Sequence, residues 1–219
     1  AWDWLEMSPP ADTSNLWSSV QFRTQSPLAP DELKNYLADS SDTPYETWVT
    51  LNPIPASKYN LKTRVRDLTE RVVEIKRSHI TAALLRDPFD AEQGLLTSQG
   101  DINEMLIPWR QLVSNFGDAK YVGSIDMPAG STNHVFESGN EGIMILWNDE
   151  TVDEHQFLGS KLSATDIWGR QIDIRPSKLE TGGVEQRFEV GKWPIILRGV
   201  DIDIVRWRLQ FKVNVTHLE

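Results

Sequence analysis

Leu61-Lys62-Thr63-Arg64-Val65-Arg66-Asp67-Leu68-Thr69-Glu70-Arg71-Val72-Val73-Glu74-Ile75-Lys76-Arg77-Ser78-His79-Ile80 decides how the first half of this chain is read. Leu61, Val65, Leu68, Val72, Ile75 and His79 recur at spacings of three and four. Arg64, Arg66, Asp67, Glu70, Arg71 and Glu74 fall largely between them, the pattern of an amphipathic helix with one polar face. Asn60 precedes it as N-cap, because its side-chain oxygen can accept an orphan backbone N–H of the first turn. Directly after comes the apolar run Ile80 to Leu85, stopped by Arg86-Asp87-Pro88-Phe89-Asp90. Upstream, Thr47 to Leu51 is a second β-rich run, stopped by Asn52-Pro53-Ile54-Pro55. Strand, helix and strand in that order predict a βαβ unit with parallel strands and a right-handed crossover.

Further along, Asp101 with Glu104 forms a capping-box-like pair, and Gly117 offers a left-handed stop. A helix is therefore expected over Asp101 to Phe116, kinked or split by Pro108. Asp31 to Leu37, after Pro30, reads as a short helix, and Trp17 to Phe22 as a strand within an otherwise ambiguous stretch 1–26.

From Tyr121 onward the period changes from 3.6 to 2 and turn signals recur about every ten residues. Strands are expected over Tyr121–Ile125, Asn133–Glu137, Gly142–Leu146, Gln156–Leu158, Leu162–Ile167, Gln186–Val190, Ile195–Leu197 and Ile204–Val215. In the last of these, Val205, Trp207, Leu209, Phe211 and Val213 alternate with basic or amide residues. The fold class is thus α/β plus all-β: an α/β segment of βα units over residues 1–118, then an antiparallel β-sandwich domain over 119–219.

The composition is globular, with 39% hydrophobic residues and nine Trp whose large faces call for burial or a ligand. A net charge of −10 argues against nucleic acid, whose binders need a Lys/Arg surplus. With no cysteine, disulfides, thiolate metal sites and a cysteine nucleophile are excluded. No run of about 18 apolar residues predicts a membrane span, and Ala1-Trp2-Asp3-Trp4-Leu5 has no basic or hydrophobic leader character. That abrupt opening leads us to expect a piece of something longer. The four His are scattered without ligand spacing, and Asn148 to Glu154 lacks the spaced ligands of a calcium loop, reading instead as a solvated hairpin. No metal and no cofactor are expected.

Trp147-Asn148-Asp149, Asp166-Ile167-Trp168-Gly169-Arg170 and the segment Val190 to Val200 resemble the C-terminal β domain that follows a (β/α)8 barrel in many bacterial glycoside-hydrolase-like proteins. Arg86 to Asp90, Gly94-Leu95-Leu96, Pro108-Trp109-Arg110 and Gly130 to Phe136 resemble, in their order, large planctomycete-type proteins of the same layout. The resemblance covers roughly Trp48 to Val200 and implies that the first half holds the last βα units of a barrel whose earlier strands lie elsewhere. It transfers no catalytic residue.

In such barrels the paired carboxylates of a glycosidase, about 5 to 9 Å apart, come from the carboxyl ends of strands. Asn52, Asp87 and Asp90 follow the two expected strands at that end and are candidates for the border of a sugar site; the alternative is that Asp87 caps the turn before Pro88 and Asp90 starts a loop. Trp147, Trp168 and Trp193 close strands or turns and are candidates for sugar stacking, the alternative being packing at the sandwich edge. Three functional readings stand at this point. The first is the non-catalytic C-terminal portion of a carbohydrate-active glycosidase-like protein, with a polysaccharide or glycan and the missing N-terminal part of the parent chain as partners. The others are a stand-alone carbohydrate-binding module, and a non-catalytic envelope or assembly protein. An exported or cell-envelope bacterial setting is the expectation for compartment.

Overall fold

A computed structural model of the chain describes residues 3–7, 17–23, 46–78, 80, 82–85, 87–178 and 184–216. The chain divides into two compact units, Ala1–Arg110 and Gln111–Glu219. The short helix expected at Asp31 to Leu37 lies outside the described residues.

In the first unit, β1 (Asp3–Met7), β2 (Trp17–Arg23), β3 (Glu46–Leu51) and β4 (Ala82–Leu85) form a sheet in that order. β2, β3 and β4 run parallel, while β1 pairs antiparallel with β2 and so departs from a pure run of βα units. The crossover between β3 and β4 is α1 (Leu61–Arg77), capped at Asn60, whose Oδ1 accepts the Thr63 N–H at 3.0 Å. Val49, Leu51, Val65, Leu68, Val72 and Ile75 are all buried, so the helix closes one face of the sheet. The polar face of α1 is not left to solvent. Arg64, Asp67, Arg71 and Glu74 are buried too, and Arg71 survives there because Asp67 one turn earlier pairs with it at 2.8 Å.

The helix expected from Asp101 starts later, as α2 (Leu106–Phe116). Asp101 instead bonds back to Thr97, and Glu104 pairs with Arg64, so neither caps the helix. Pro108 therefore falls in the first turn, where its missing N–H costs no intrahelical bond and no kink is needed. Gly117 donates to the Val113 carbonyl at 2.9 Å and closes the helix without the left-handed φ expected of it.

The second unit is an antiparallel β-sandwich. One sheet has six strands in the order β10 (Gln171–Ile172), β9 (Ser163–Asp166), β13 (Ile195–Val200), β7 (Glu141–Trp147), β6 (Thr132–Ser138), β5 (Lys120–Gly123). The other has β11 (Arg175–Lys178), β12 (Val184–Val190) and β8 (Val152–Gln156). Val135, Met144, Leu146 and Leu197 from the first meet Phe188 and Val190 from the second in one core. β7 is buried on both faces: Phe116 at the end of α2 packs on Phe136 of β6, ring centroids 4.8 Å apart, on the side that carries Ile143 and Ile145.

Two expectations fail here. The run Ile204 to Val215 is not a strand but lies within α3 (Ile202–Thr216). Asp201 caps it, its carboxylate accepting from Asp203 N–H at 3.0 Å and Ile204 N–H at 3.3 Å. Its core-facing stripe Ile202, Val205 and Leu209 shares two members with the alternating set, which is why period 2 looked complete. Gly123 of β5 lets it approach, since a Cβ there would stand 2.7 Å from Leu209 Cδ1. The acidic stretch is likewise no solvated hairpin throughout. Glu154 on β8 is fully buried, its carboxylate accepting the Ala129 and Ser131 N–H groups at 3.0 and 3.1 Å.

Candidate functional site

Parallel strands present their carboxyl ends as the usual place for chemistry, because the loops leaving them converge there. Leu51 of β3 lies beside Leu85 of β4, so Asn52 and Asp87 leave from the same end. The two loops are tied together. Ala56 N–H donates to the Glu92 carbonyl at 3.0 Å and Ser57 N–H to the Glu92 carboxylate at 2.8 Å. Arg64 lies beneath, donating to the Ile54 carbonyl at 3.0 Å, the Glu92 carbonyl at 3.3 Å and the Glu104 carboxylate. Burial lowers the Arg64 guanidinium from its ordinary value, with Glu104 and Glu92 opposing; the hydrogen bond from Ser57 holds the Glu92 carboxyl below its usual range.

Asp87 and Asp90 are both occupied by the backbone. Asp87 Oδ1 accepts the Phe89 N–H at 3.0 Å, and Asp90 Oδ1 accepts those of Glu92 and Gln93 at 2.9 and 2.8 Å. These are turn caps. Asn52 differs: its backbone carbonyl receives Arg71 at 3.3 Å, while its side-chain Oδ1 is enclosed with no hydrogen-bond partner. Of the three residues read from the sequence at this end, Asn52 alone holds an unspent buried acceptor. The clamp formed by Arg64, Glu92 and Glu104 was missed. Its signal was an arginine one residue before Val65 on the apolar stripe, with partners too distant in sequence to suggest themselves.

The three tryptophans gather at one end of the six-stranded sheet, since Ile195 lies beside both Leu146 and Asp166. Trp147 is only 2% exposed, its ring 5.5 Å from that of His134 on the covered face of β7, and offers no face to a sugar. Trp168 and Trp193 are half-buried and meet edge to face at 4.5 Å. The Arg170 guanidinium stands 5.9 Å over Trp168, held by the Asp166 carboxylate at 2.6 Å. Among the described residues, no group of three His, Asp or Glu is arranged to hold a metal ion, and no helix is long and apolar enough to cross a membrane.

No protein-family model matches the chain, and no curated protein matches it. Solved structures do. A family 39 glycoside hydrolase from Bacteroides cellulosilyticus is similar over 78% of this chain with a TM-score of 0.56 at 15% identity. A family 30 endoxylanase from Clostridium papyrosolvens is similar over 82% with a TM-score of 0.58 at 13% identity. A family 30 subfamily 8 xylanase from Clostridium acetobutylicum is similar over 71% with a TM-score of 0.52 at 10% identity. At such identity the likeness is one of fold. The chain spans 38%, 47% and 43% of these three proteins, less than half of each. The fold, an α/β segment followed by an antiparallel β-sandwich, is accordingly similar to that of part of each of these glycoside hydrolases.

Proposed function

We propose that this chain is the C-terminal, non-catalytic portion of a carbohydrate-active, glycosidase-like protein of the planctomycete-type layout, its first unit supplying the last βα units of a barrel and its β-sandwich acting as a brace. One observation carries this reading. Trp48 lies opposite Ala82 and Thr50 opposite Leu84 on the face of β3 and β4 away from the buried Val49 and Leu51. Trp48 is 39% and Leu84 45% exposed, although strands in parallel pairs are ordinarily covered on both faces. Further barrel strands would close that face. Asn52, with Asp87 and Asp90 shaping the loop beside it, would then border the sugar site, and the longer protein would act on a polysaccharide.

An assembly protein would also bare an apolar face, but the carboxyl-end loops clamped by Arg64 favour a barrel. The stand-alone binding module has the weaker support, with Trp147 buried and one face of Trp168 taken by Arg170. The test is hydrolysis of a panel of plant and bacterial polysaccharides by this chain and by the protein extended with its encoded upstream residues. Hydrolysis by the extended protein alone is expected. Turnover by the 219-residue chain would end the non-catalytic reading, and none by the extended protein would end the glycosidase reading.

A further inference from the structure

A groove of about 590 Å³ opens on the sandwich between the β6–β7 hairpin, the β8–β9 loop and the start of α3, within the size range of small-molecule sites. Its walls are polar and partly locked. Arg206 grips both oxygens of Glu137, at 3.1 and 2.9 Å, and Arg198 holds one oxygen of Glu141 at 2.8 Å. Each carboxylate is thereby fixed in place with acceptor capacity to spare. Asn140, Ser160 and Lys161 supply donors on the same groove, and none has a side-chain partner among the described residues. The floor is closely packed: Gly199 has a left-handed φ of 79°, and a Cβ there would collide with the Lys161 carbonyl.

The lining selects its ligand by exclusion. Glu137, Glu141, Asp201 and Asp203 against Lys161 and Arg206 disfavour phosphate and other anions. A cation is disfavoured as well, since Glu137 and Glu141 pair with arginines, Asp201 caps α3, Asp203 lies 3.8 Å from Arg206, and no three of the described carboxylates converge to hold a metal ion. Val200 and Ile202 belong to the core and expose little of themselves, so they add only a narrow apolar strip to the floor. What remains is an array of fixed acceptors beside free donors, which suits a ligand whose every group both donates and accepts. We infer that this groove is an accessory binding site for a neutral oligosaccharide, held by its hydroxyls and not by aromatic stacking. The inference rests on the carbohydrate reading above, yet concerns a surface that takes no part in hydrolysis.

The test is a titration of the isotope-labelled 219-residue chain with cellohexaose, xylohexaose and laminarihexaose, followed through backbone amide resonances. At least one hexaose is expected to move the amides of Asn140, Ser160, Lys161 and Gly199 saturably. Lys161→Ala and Asn140→Ala remove no internal contact, so both should keep the native spectrum while weakening Kd about tenfold. Saturable shifts confined to other regions, no shifts with any hexaose, or shifts indifferent to both substitutions would overturn the site. Those results leave the hydrolysis experiment on the extended protein untouched, so the two ideas fail separately.

Discussion

Trp48 on β3 and Leu84 on β4 share one face of a parallel pair, two residues apart in register, and both are exposed. A partly exposed apolar strand face is a site for association. The 25.0 kDa chain should therefore self-associate with rising concentration in sedimentation velocity. Leu84→Lys should restore a monomer and change stability by less than about 1 kcal/mol, as expected for an exposed position. A Leu84→Lys chain that associates as the parent does would place the sticky surface elsewhere.

Arg64 is 1% exposed and satisfies two loop carbonyls besides Glu104. Arg64→Met leaves the buried Ile54 carbonyl unpaired, takes from the Glu92 carbonyl one of its two donors, and should cost about 2–4 kcal/mol in urea unfolding. Arg64→Lys keeps the charge but not the planar fork, and should recover less than half of that loss. Equal stability of all three proteins would show that the clamp contributes little.

Glu154 pins the Ala129–Ser131 turn from inside the sandwich. Glu154→Ala strands two backbone donors and should cost about 2–4 kcal/mol, whereas Glu154→Gln keeps one acceptor oxygen and should cost about half as much. Hydrogen exchange at the Ala129 and Ser131 amides reads the same bond directly. Unchanged protection in Glu154→Ala would contradict the assignment.

The tie between the two carboxyl-end loops should be acid-sensitive. Glu92 titrates lower in the folded chain than its ordinary range because Ser57 donates to it. The stabilisation is thus fully present above the ordinary carboxylate range and is lost as pH falls through the lowered value. The Ser57 amide should be protected from exchange near neutrality and lose that protection in strong acid before α1 does, once the intrinsic pH dependence of exchange is removed. Simultaneous loss with α1 would mean that Glu92 does not govern the loop.

How much of this was legible followed from how local each cause is. The βαβ unit was readable because β-branched runs, the Asn60 cap and the stripe Val65, Leu68, Val72 act within a few residues. The burial of Arg64 was not, since Glu104 lies 40 residues away and nothing in the helix pattern announces it. α3 was misread because Val205 and Leu209 fit both periods, and only the Asp201 cap separates them. Trp147 promised a sugar platform from its place beside a turn; that β7 is covered on both faces depends on α2, which arrives from another part of the chain. At the carboxyl ends, the sequence placed Asn52, Asp87 and Asp90 together, but could not tell capped carboxylates from an unspent amide.

The claim that the Trp48–Leu84 face awaits further barrel strands is tested most directly by thiol labelling. The chain has no cysteine, so Leu84→Cys gives a single reporter on that face. In the 219-residue chain, diluted below the concentration at which it self-associates, a maleimide should label it at close to the rate of a free thiol. In the protein extended by its upstream residues the account predicts labelling slowed at least about a hundredfold, limited by local opening. Equal rates in the two proteins would contradict it.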